Sequence, residues 1–428
     1  MMQLELRSFK GKLGVAIGIL LCAISYVTAT AKQFLGSCYS QSQDPDRLRR
    51  AISLDRGNAE YQDHLGRYIL ALNESPQAAL PWLQEATRLN PNAAQYWVHL
   101  AAAQQSLGNI AGEKDSLGSA LQADPHTPRI AWDAANLYLA QGSLQDALKL
   151  FHSVLENDPV YMGAALNTCW RIRPDIDFQL ASVVPPNADP AFLEYLIANK
   201  ETAAANKVWA RMFSLQQPLS RNPLFEYLRY LVTNREVSQA ALVWQQAANL
   251  SGLAAYQPSS ENLLINGDFS LELLNGGFDW VHRAVRGVSL ALDPTELRSS
   301  SRSLRITLDG PGITDAGIVQ LVPVDPDTRY EFSGFYRAEG MDGAGAMQFA
   351  INDAYKDTPL FMSEDLRDAD FWKQVAGSFT TASDTNLIIL RVARVPSGSP
   401  IRGKLWIDGL KLVRSDSRVA EIATKETQ

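Results

Sequence analysis

The feature that most constrains the fold is a spacing of 34 residues between prolines. Pro91, Pro125 and Pro159 each close a stretch rich in alanine and leucine. A period of 34 residues corresponds to two helices and two turns, so the spacing predicts stacked helical hairpins. Each hairpin leaves an apolar face that only the next hairpin can cover, and such stacks carry a concave binding surface.

Residue types recur within each period. The equivalent small, bulky and turn positions hold Ala135, Tyr138, Gly142, Ala147 and Phe151 in one unit, and Leu100, Ala101, Gly108, Leu117 and Ala120 in the unit before it. This pattern resembles the tetratricopeptide repeat over residues 57–159. The preceding unit departs from it, because Arg56 stands where later units have proline. Beyond residue 159 the pattern weakens. About six hairpins are predicted over residues 32–250, with a protein partner in their groove.

The N-terminal segment is apolar. Residues 13–31 contain no charge and follow Arg7, Lys10 and Lys12. Nineteen such residues just cross a hydrocarbon core of about 30 Å. The basic flank predicts a cytoplasmic N-terminus, with the folded domains outside the cytoplasm.

Two interpretations of residues 1–31 stay open. They are either a retained signal-anchor that spans the membrane once, or a signal peptide cleaved near Ala31, which would leave a periplasmic or secreted protein. Counting back from Ala51 puts the first helix of the first unit at about residues 25–38. Cleavage would remove half of that helix, so the repeat favours retention.

Composition excludes some classes of function. The net charge of −7 argues against a general nucleic-acid binder. The cysteines, Cys22, Cys38 and Cys169, form no C-x-x-C pair, which disfavours zinc and thioredoxin-like sites. Cys38 and Cys169 are either paired or two free, buried thiols, and the second interpretation is favoured.

The sequence of the second half of the chain predicts β-strands. Residues 251–261 have no helical period and are interpreted as a linker. Nine or ten short strands are predicted over residues 262–414, followed by a polar tail, residues 415–428. The predicted fold is multidomain, α then β. It comprises an N-terminal transmembrane helix, an all-α repeat superhelix and a C-terminal jelly-roll β-sandwich.

The strand region contains the stretches "NGDFSLELLNGGFDW", "SLRITL", "VPVDPDTRYEFSGFYRAEG" and "LWIDGLKLV". Together they resemble a carbohydrate-binding module of the family 4/9 type. The resemblance implies a concave sheet that holds a glycan chain. The candidates for sugar binding are Trp280, Tyr336, Trp372 and Trp406 by stacking, with Arg391 as a hydrogen-bonding partner. Packing within the sandwich is the alternative for each aromatic residue, and Trp406 is predicted to face away from the core of Leu405 and Ile407.

The same resemblance implies a structural calcium, with Asp408 as one ligand. Ser270 stands where the family has a glutamate, and Asp268 is the candidate substitute. No other cofactor is expected. The sequence contains no G-x-S-x-G, P-loop or H-E-x-x-H motif, so it predicts a protein without catalytic activity.

These features predict an exported, membrane-anchored scaffold that binds protein in its repeat groove and polysaccharide at its sandwich, with no nucleic-acid partner. The architecture resembles bacterial tetratricopeptide proteins linked to exopolysaccharide or O-antigen assembly. The alternative is a scaffold for proteins alone, whose sandwich binds no sugar.

Overall fold

The computed structural model describes residues 9–42, 44–72, 75–298, 301–367 and 369–415. Within these residues, fourteen α-helices precede ten strands in two antiparallel sheets, as the sequence predicts. The tail beyond Ser415 and the first eight residues lie outside the described part. Backbone contacts divide the chain into two compact units, Met1–Tyr195 and Leu196–Gln428.

The helices follow one another along the chain with short turns between them. They are α1 (Phe9–Ser40), α2 (Pro45–Leu54), α3 (Ala59–Ala71), α4 (Pro76–Leu89), α5 (Ala94–Ser106), α6 (Ile110–Ala123), α7 (Pro128–Gln141), α8 (Leu144–Asn157), α9 (Pro159–Ile172), α10 (Ile176–Ser182), α11 (Asp189–Ala198), α12 (Thr202–Ser214), α13 (Arg221–Thr233) and α14 (Val237–Leu250). Proline is the first residue of α2, α7 and α9, where its fixed φ suits a helix start and its missing N–H costs nothing.

Helix α1 joins the apolar segment to the repeats without a break. By length and composition, Lys12–Ser40 could cross a membrane. Its large apolar side chains are exposed as far as Leu35. At its C-terminal end, Tyr39 packs against the core cluster that contains Leu48 and Leu65. The predicted first helix of the first unit is therefore the end of this longer helix.

All three cysteines are free thiols. Cys169 is buried, and burial raises the pKa of its thiol to about 12. Cys38 is exposed on α1, so the prediction that both thiols are buried is wrong for Cys38. The apolar contacts of α1 involve the opposite side of the helix, through Gly36 and Tyr39.

The second unit ends in the β-sandwich. Its strands are β1 (Val281–His282), β2 (Val288–Asp293), β3 (Ser303–Asp309), β4 (Asp315–Pro323), β5 (Arg329–Asp342), β6 (Ala346–Asp353), β7 (Pro359–Met362), β8 (Ala369–Thr380), β9 (Leu387–Val395) and β10 (Arg402–Arg414). The first sheet has the order β1-β4-β9-β6-β7, and the second has the order β2-β3-β10-β5-β8. Alternate residues of each strand, such as Ile306, Leu390 and Leu405, fill the core between the sheets.

Residues 251–261, predicted as a linker, are packed rather than extended. Ala254–Tyr256 form a 3-10 turn, and Leu253 and Tyr256 are buried. The indole of Trp244 donates to the Tyr256 carbonyl at 2.9 Å. The same ring meets Phe278 of the sandwich edge-on, at 5.9 Å between centroids. These contacts explain why α12–α14 group with the sandwich, although the sequence predicts a domain boundary between them.

The double glycine of "NGGFDW" lies at this contact. A Cβ atom on Gly277 would come 2.0 Å from Cζ3 of Trp244, and one on Gly276 would come 2.2 Å from Cδ2 of Phe225. Both distances are far shorter than a van der Waals contact. The change of character in the sequence therefore coincides with the turn before β1, which packs against the two aromatic rings of the last helical hairpin.

Candidate functional site

The first unit carries a row of polar side chains on three neighbouring helices. We call Asp63, Arg67, His99, Arg129 and Asp133 the polar row; they lie on α3, α5 and α7. Helix α5 contacts both α3 and α7. His99 Nδ1 lies 2.7 Å from a carboxylate oxygen of Asp63, whose side chain is 3% exposed. A buried carboxylate thus fixes the imidazole of the next unit.

The two arginines of the polar row are more exposed. Arg67 lies 4.0 Å from Asp63, and Arg129 lies 3.9 Å from Asp133 with 61% of its side chain exposed. Burial raises the pKa of Asp133, although the charges of Arg129 and His99 oppose that shift. The polar row therefore presents fixed acceptors and accessible cationic donors along consecutive repeats.

Two of the predicted sugar-binding aromatics lie in the core of the sandwich. Trp280 and Tyr336 are each 1% exposed, and the Trp280 indole donates to the Asn266 carbonyl at 3.1 Å. The assignment of Tyr336 as a stacking residue is corrected on this ground, because its ring cannot meet a ligand. Strand β5 carries aromatics on both faces, and Tyr336 shares the inward face with Phe332.

Trp406 lies on the face of β10 opposite Leu405 and Ile407, yet it is only 4% exposed. Its Nε1 donates to Asp293 at 2.9 Å, and the Arg337 guanidinium lies 5.7 Å from its ring. Burial would raise the pKa of Asp293, but hydrogen bonds from Thr295 and Trp406 hold that pKa well below its usual range. An ionised carboxylate thus fixes the indole.

The segment after β2 covers this part of the second sheet. Glu296 pairs with Arg337, and the half-buried Trp372 donates from Nε1 to the Leu297 carbonyl at 3.1 Å. Arg298 stacks over Phe335 at 3.2 Å. The chain's own groups therefore occupy the outer face around Trp406, whereas Trp372 stays partly exposed.

The first sheet offers a different outer face. Arg391 lies in register with Ala350, and Ala393 with Gln348. We call Gln348, Ala350, Asn352, Arg391 and Ala393 the polar strip. Arg391 pairs with Asp357, while Asn352 Nδ2 donates to the carbonyl of Asp357 at 3.0 Å. Ala350 and Asn352 are buried, at 2% and 8% exposure. The accessible hydrogen-bonding groups of the polar strip are therefore the Gln348 amide and the Arg391 guanidinium, beside the partly exposed Ala393.

The two residues predicted to bind calcium, Asp408 and Asp268, are both hydrogen-bonded within the chain. Within the described residues no three His, Cys, Asp or Glu side chains come together as a metal site. Asp408 is fully buried and accepts from the Gly409 N–H at 2.6 Å, and Asp268 accepts from the Ser270 hydroxyl at 2.9 Å. The Arg298 side chain lines the same depression as Asp268. Calcium needs six to eight oxygens. The two carboxylates supply at most four, so the calcium site stays a prediction that requires further oxygen ligands.

Arg394 is a buried residue that the sequence analysis missed. It is 2% exposed, and its guanidinium donates to the carbonyls of Ala344, Ala346, Val395, Ser399 and Pro400. The signal in the sequence is the alternation of side chains along β9, which places Arg394 on the same inward face as Leu390 and Val392. Its role is to fix the loop that joins β9 to β10.

Comparison with known proteins matches residues 114–166 to the tetratricopeptide repeat family. Among solved structures, a family 4 carbohydrate-binding module shares 14% identity over 36% of this chain and 99% of that chain, with a TM-score of 0.29. The CBM22-1 xylan-binding domain of Paenibacillus barcinonensis Xyn10C shares 16% identity over 37% of this chain and 98% of that domain, at 0.28. MamA shares 13% identity over 49% of this chain and 94% of that protein, also at 0.28. No protein with a curated description matches significantly in sequence.

Proposed function

We propose that the chain is a non-enzymatic, exported scaffold, anchored in a membrane by α1, whose repeats bind a protein segment along the polar row. The observation that carries the proposal is the pairing of His99 with buried Asp63 across two repeat units. Stacked repeats form extended concave binding surfaces, and we propose that the polar row supplies the hydrogen-bonding groups of that surface. In this proposal Arg67 and Arg129 meet acceptors of the partner.

Charge reversal tests the role of the polar row. Arg129→Glu is expected to lower capture of the partner about tenfold, because a repelling charge replaces an exposed donor of the polar row. Lys149→Glu is the matched control, since Lys149 on α8 is 68% exposed and also lies 3.9 Å from an aspartate.

The measurement is quantitative capture from detergent-solubilised envelope by the full chain. The proposal predicts a defined partner that wild type and Lys149→Glu retain equally and that Arg129→Glu loses. Equal loss in both variants, or no partner above background, would exclude the polar row as the binding surface.

A second candidate function is glycan binding by the sandwich, and the polar strip of the first sheet favours it. Guanidinium and amide groups beside small residues can hydrogen-bond the hydroxyls of a sugar lying on the sheet. We further propose cell-envelope polysaccharide biosynthesis or export as the setting, supported by the sequence resemblance alone. The competing candidate remains a scaffold for proteins alone.

Arginine substitutions separate these two candidates. Arg391→Ala is expected to weaken binding of the full chain to its cognate polysaccharide about tenfold, by removal of a charged donor. Arg329→Ala is the control, because Arg329 lies on the second sheet, where it donates to Ser378 at 3.0 Å. A glycan array with no ligand for wild type would favour the protein-only scaffold.

A further inference from the structure

We propose that the turn between α2 and α3 lies on the membrane surface, where Arg56 and Lys32 pair with the phosphates of anionic lipids. The inference rests on the proposed anchoring through α1. Arg56 departs from the repeat pattern, and contacts with α1 fix the position of this turn along the axis of α1.

The local backbone does not require arginine at position 56. In four repeat units the second helix ends at a residue with extended backbone. The next residue is proline in three of these units and Arg56 in the first. The pairs are Asp55-Arg56, Asn90-Pro91, Asp124-Pro125 and Asp158-Pro159, with φ of −143°, −137°, −146° and −137° at the first residue. Extended backbone is what a residue before proline adopts. Proline therefore fits position 56, and the arginine calls for another explanation.

Contacts of α3 with α1 set the depth of the turn. A Cβ on Gly36 would lie 3.1 Å from the Tyr61 ring, and His64 Nδ1 lies 3.3 Å from the Ser40 carbonyl. Helix α3 thus runs in the same direction as α1. Because Arg56 precedes Tyr61, it lies towards the apolar end of α1. Ala31 is five residues before Gly36, or about 8 Å along the axis of α1. Arg56 is likewise five residues before Tyr61, so the turn lies at about the level of Ala31.

Two cationic side chains, Lys32 and Arg56, lie at this level of α1. Lys32 lies four residues before Gly36 and so on the same side of α1, and both Lys32 and Arg56 are exposed. Asp55 accepts from the Gly57 N–H at 3.1 Å, and Glu60 lies further up, 3.9 Å from His64. Phe34, 68% exposed, continues the apolar surface past Lys32. Cationic groups beside an apolar helix at the headgroup level attract anionic lipid.

Depth-dependent quenching tests the placement in the full chain. Cys22 and Cys38 are replaced by serine, and a fluorophore is attached at Gly57→Cys, where a Cβ meets nothing closer than 3.6 Å. Gln41→Cys is the control at the opposite end of the α1–α2 hairpin, about 15 Å beyond Ala31 along the axis of α1. The vesicles contain phosphatidylcholine with a headgroup spin label, with or without phosphatidylglycerol.

The label at position 57 is expected to be quenched at least about twice as strongly as the label at 41, and more strongly with phosphatidylglycerol present. Arg56→Pro combined with Lys32→Gln removes both cations and is expected to abolish the gain from phosphatidylglycerol without lowering the melting temperature, whereas Arg56→Lys alone keeps it. Arg56→Gln replaces the proline variant if that one unfolds.

Equal quenching at positions 57 and 41, or a phosphatidylglycerol effect that survives loss of both the Arg56 and the Lys32 charges, would overturn the inference. Co-flotation of the protein with vesicles is recorded in the same experiment. Failure to float refutes the anchor itself, whereas flotation without quenching at position 57 refutes only the placement of the turn.

Discussion

Gly277→Ala is expected to lower the free energy of unfolding of the second unit by about 3 kcal/mol. The residue has φ of +65°, a conformation that costs an L-residue about 1–2 kcal/mol. The added Cβ would also lie 2.0 Å from Cζ3 of Trp244, a ring that is 2% exposed and cannot retreat. Overpacking of this kind costs about 1–3 kcal/mol.

Gly252→Ala separates these two effects. Gly252 has the same φ of +65°, but nothing lies within 4 Å of its Cβ position, so only the backbone cost of about 1 kcal/mol applies. Urea denaturation of the full chain, with hydrogen exchange of the strands reporting on the second unit, measures both variants. If both variants lose the same free energy of unfolding, the Trp244 ring does not clash with a Cβ atom at position 277.

Asp279→Asn is expected to stabilise the second unit at neutral pH but not at pH 4. Asp279 is fully buried and accepts from the Leu274 N–H at 2.7 Å through one oxygen. The other oxygen has no partner of normal hydrogen-bond geometry among the described residues, although the Trp280 N–H also favours the ionised form. Burial raises the pKa of Asp279 from 3.8 to about 6. An asparagine keeps the acceptor for Leu274 without the buried charge.

The direction of this pH dependence follows from the linkage between protonation and folding. The native state holds this proton more tightly than the unfolded chain, so the contribution of Asp279 to stability falls as pH rises from about 4 to about 6, then stays constant. The full penalty is about 3 kcal/mol. The difference in unfolding free energy between Asp279→Asn and wild type, measured from pH 4 to pH 8, should grow across this window. A difference independent of pH would contradict the assignment.

The helical half could be predicted because its signals are local. The spacing of Pro91, Pro125 and Pro159 and the small residues at fixed offsets are set within one 34-residue unit. The alternation in "SLRITL" likewise assigns Leu304 and Ile306 to one face of a strand without knowledge of its partners. Such patterns give the type of element and the inward face.

The candidate site was harder to predict because it depends on contacts distant in sequence. Alternation says that Trp406 faces away from Leu405, but its burial depends on Asp293 and Arg337, which lie far from it along the chain. The packing of residues 251–261 depends on Trp244 reaching Phe278. Nothing in the composition of those residues carries that information.

The central claim, that α1 anchors the repeats in a membrane, is tested most directly by extracting cell membranes with carbonate and sequencing the N-terminus of the protein that remains. Helix α1 runs unbroken from Phe9 to Ser40, and its last turns form the first hairpin with α2. Removal of residues 1–31 would therefore uncap the stack. The account predicts a protein in the carbonate-resistant pellet that still carries residues 13–31. A soluble product that begins at Lys32 would contradict it.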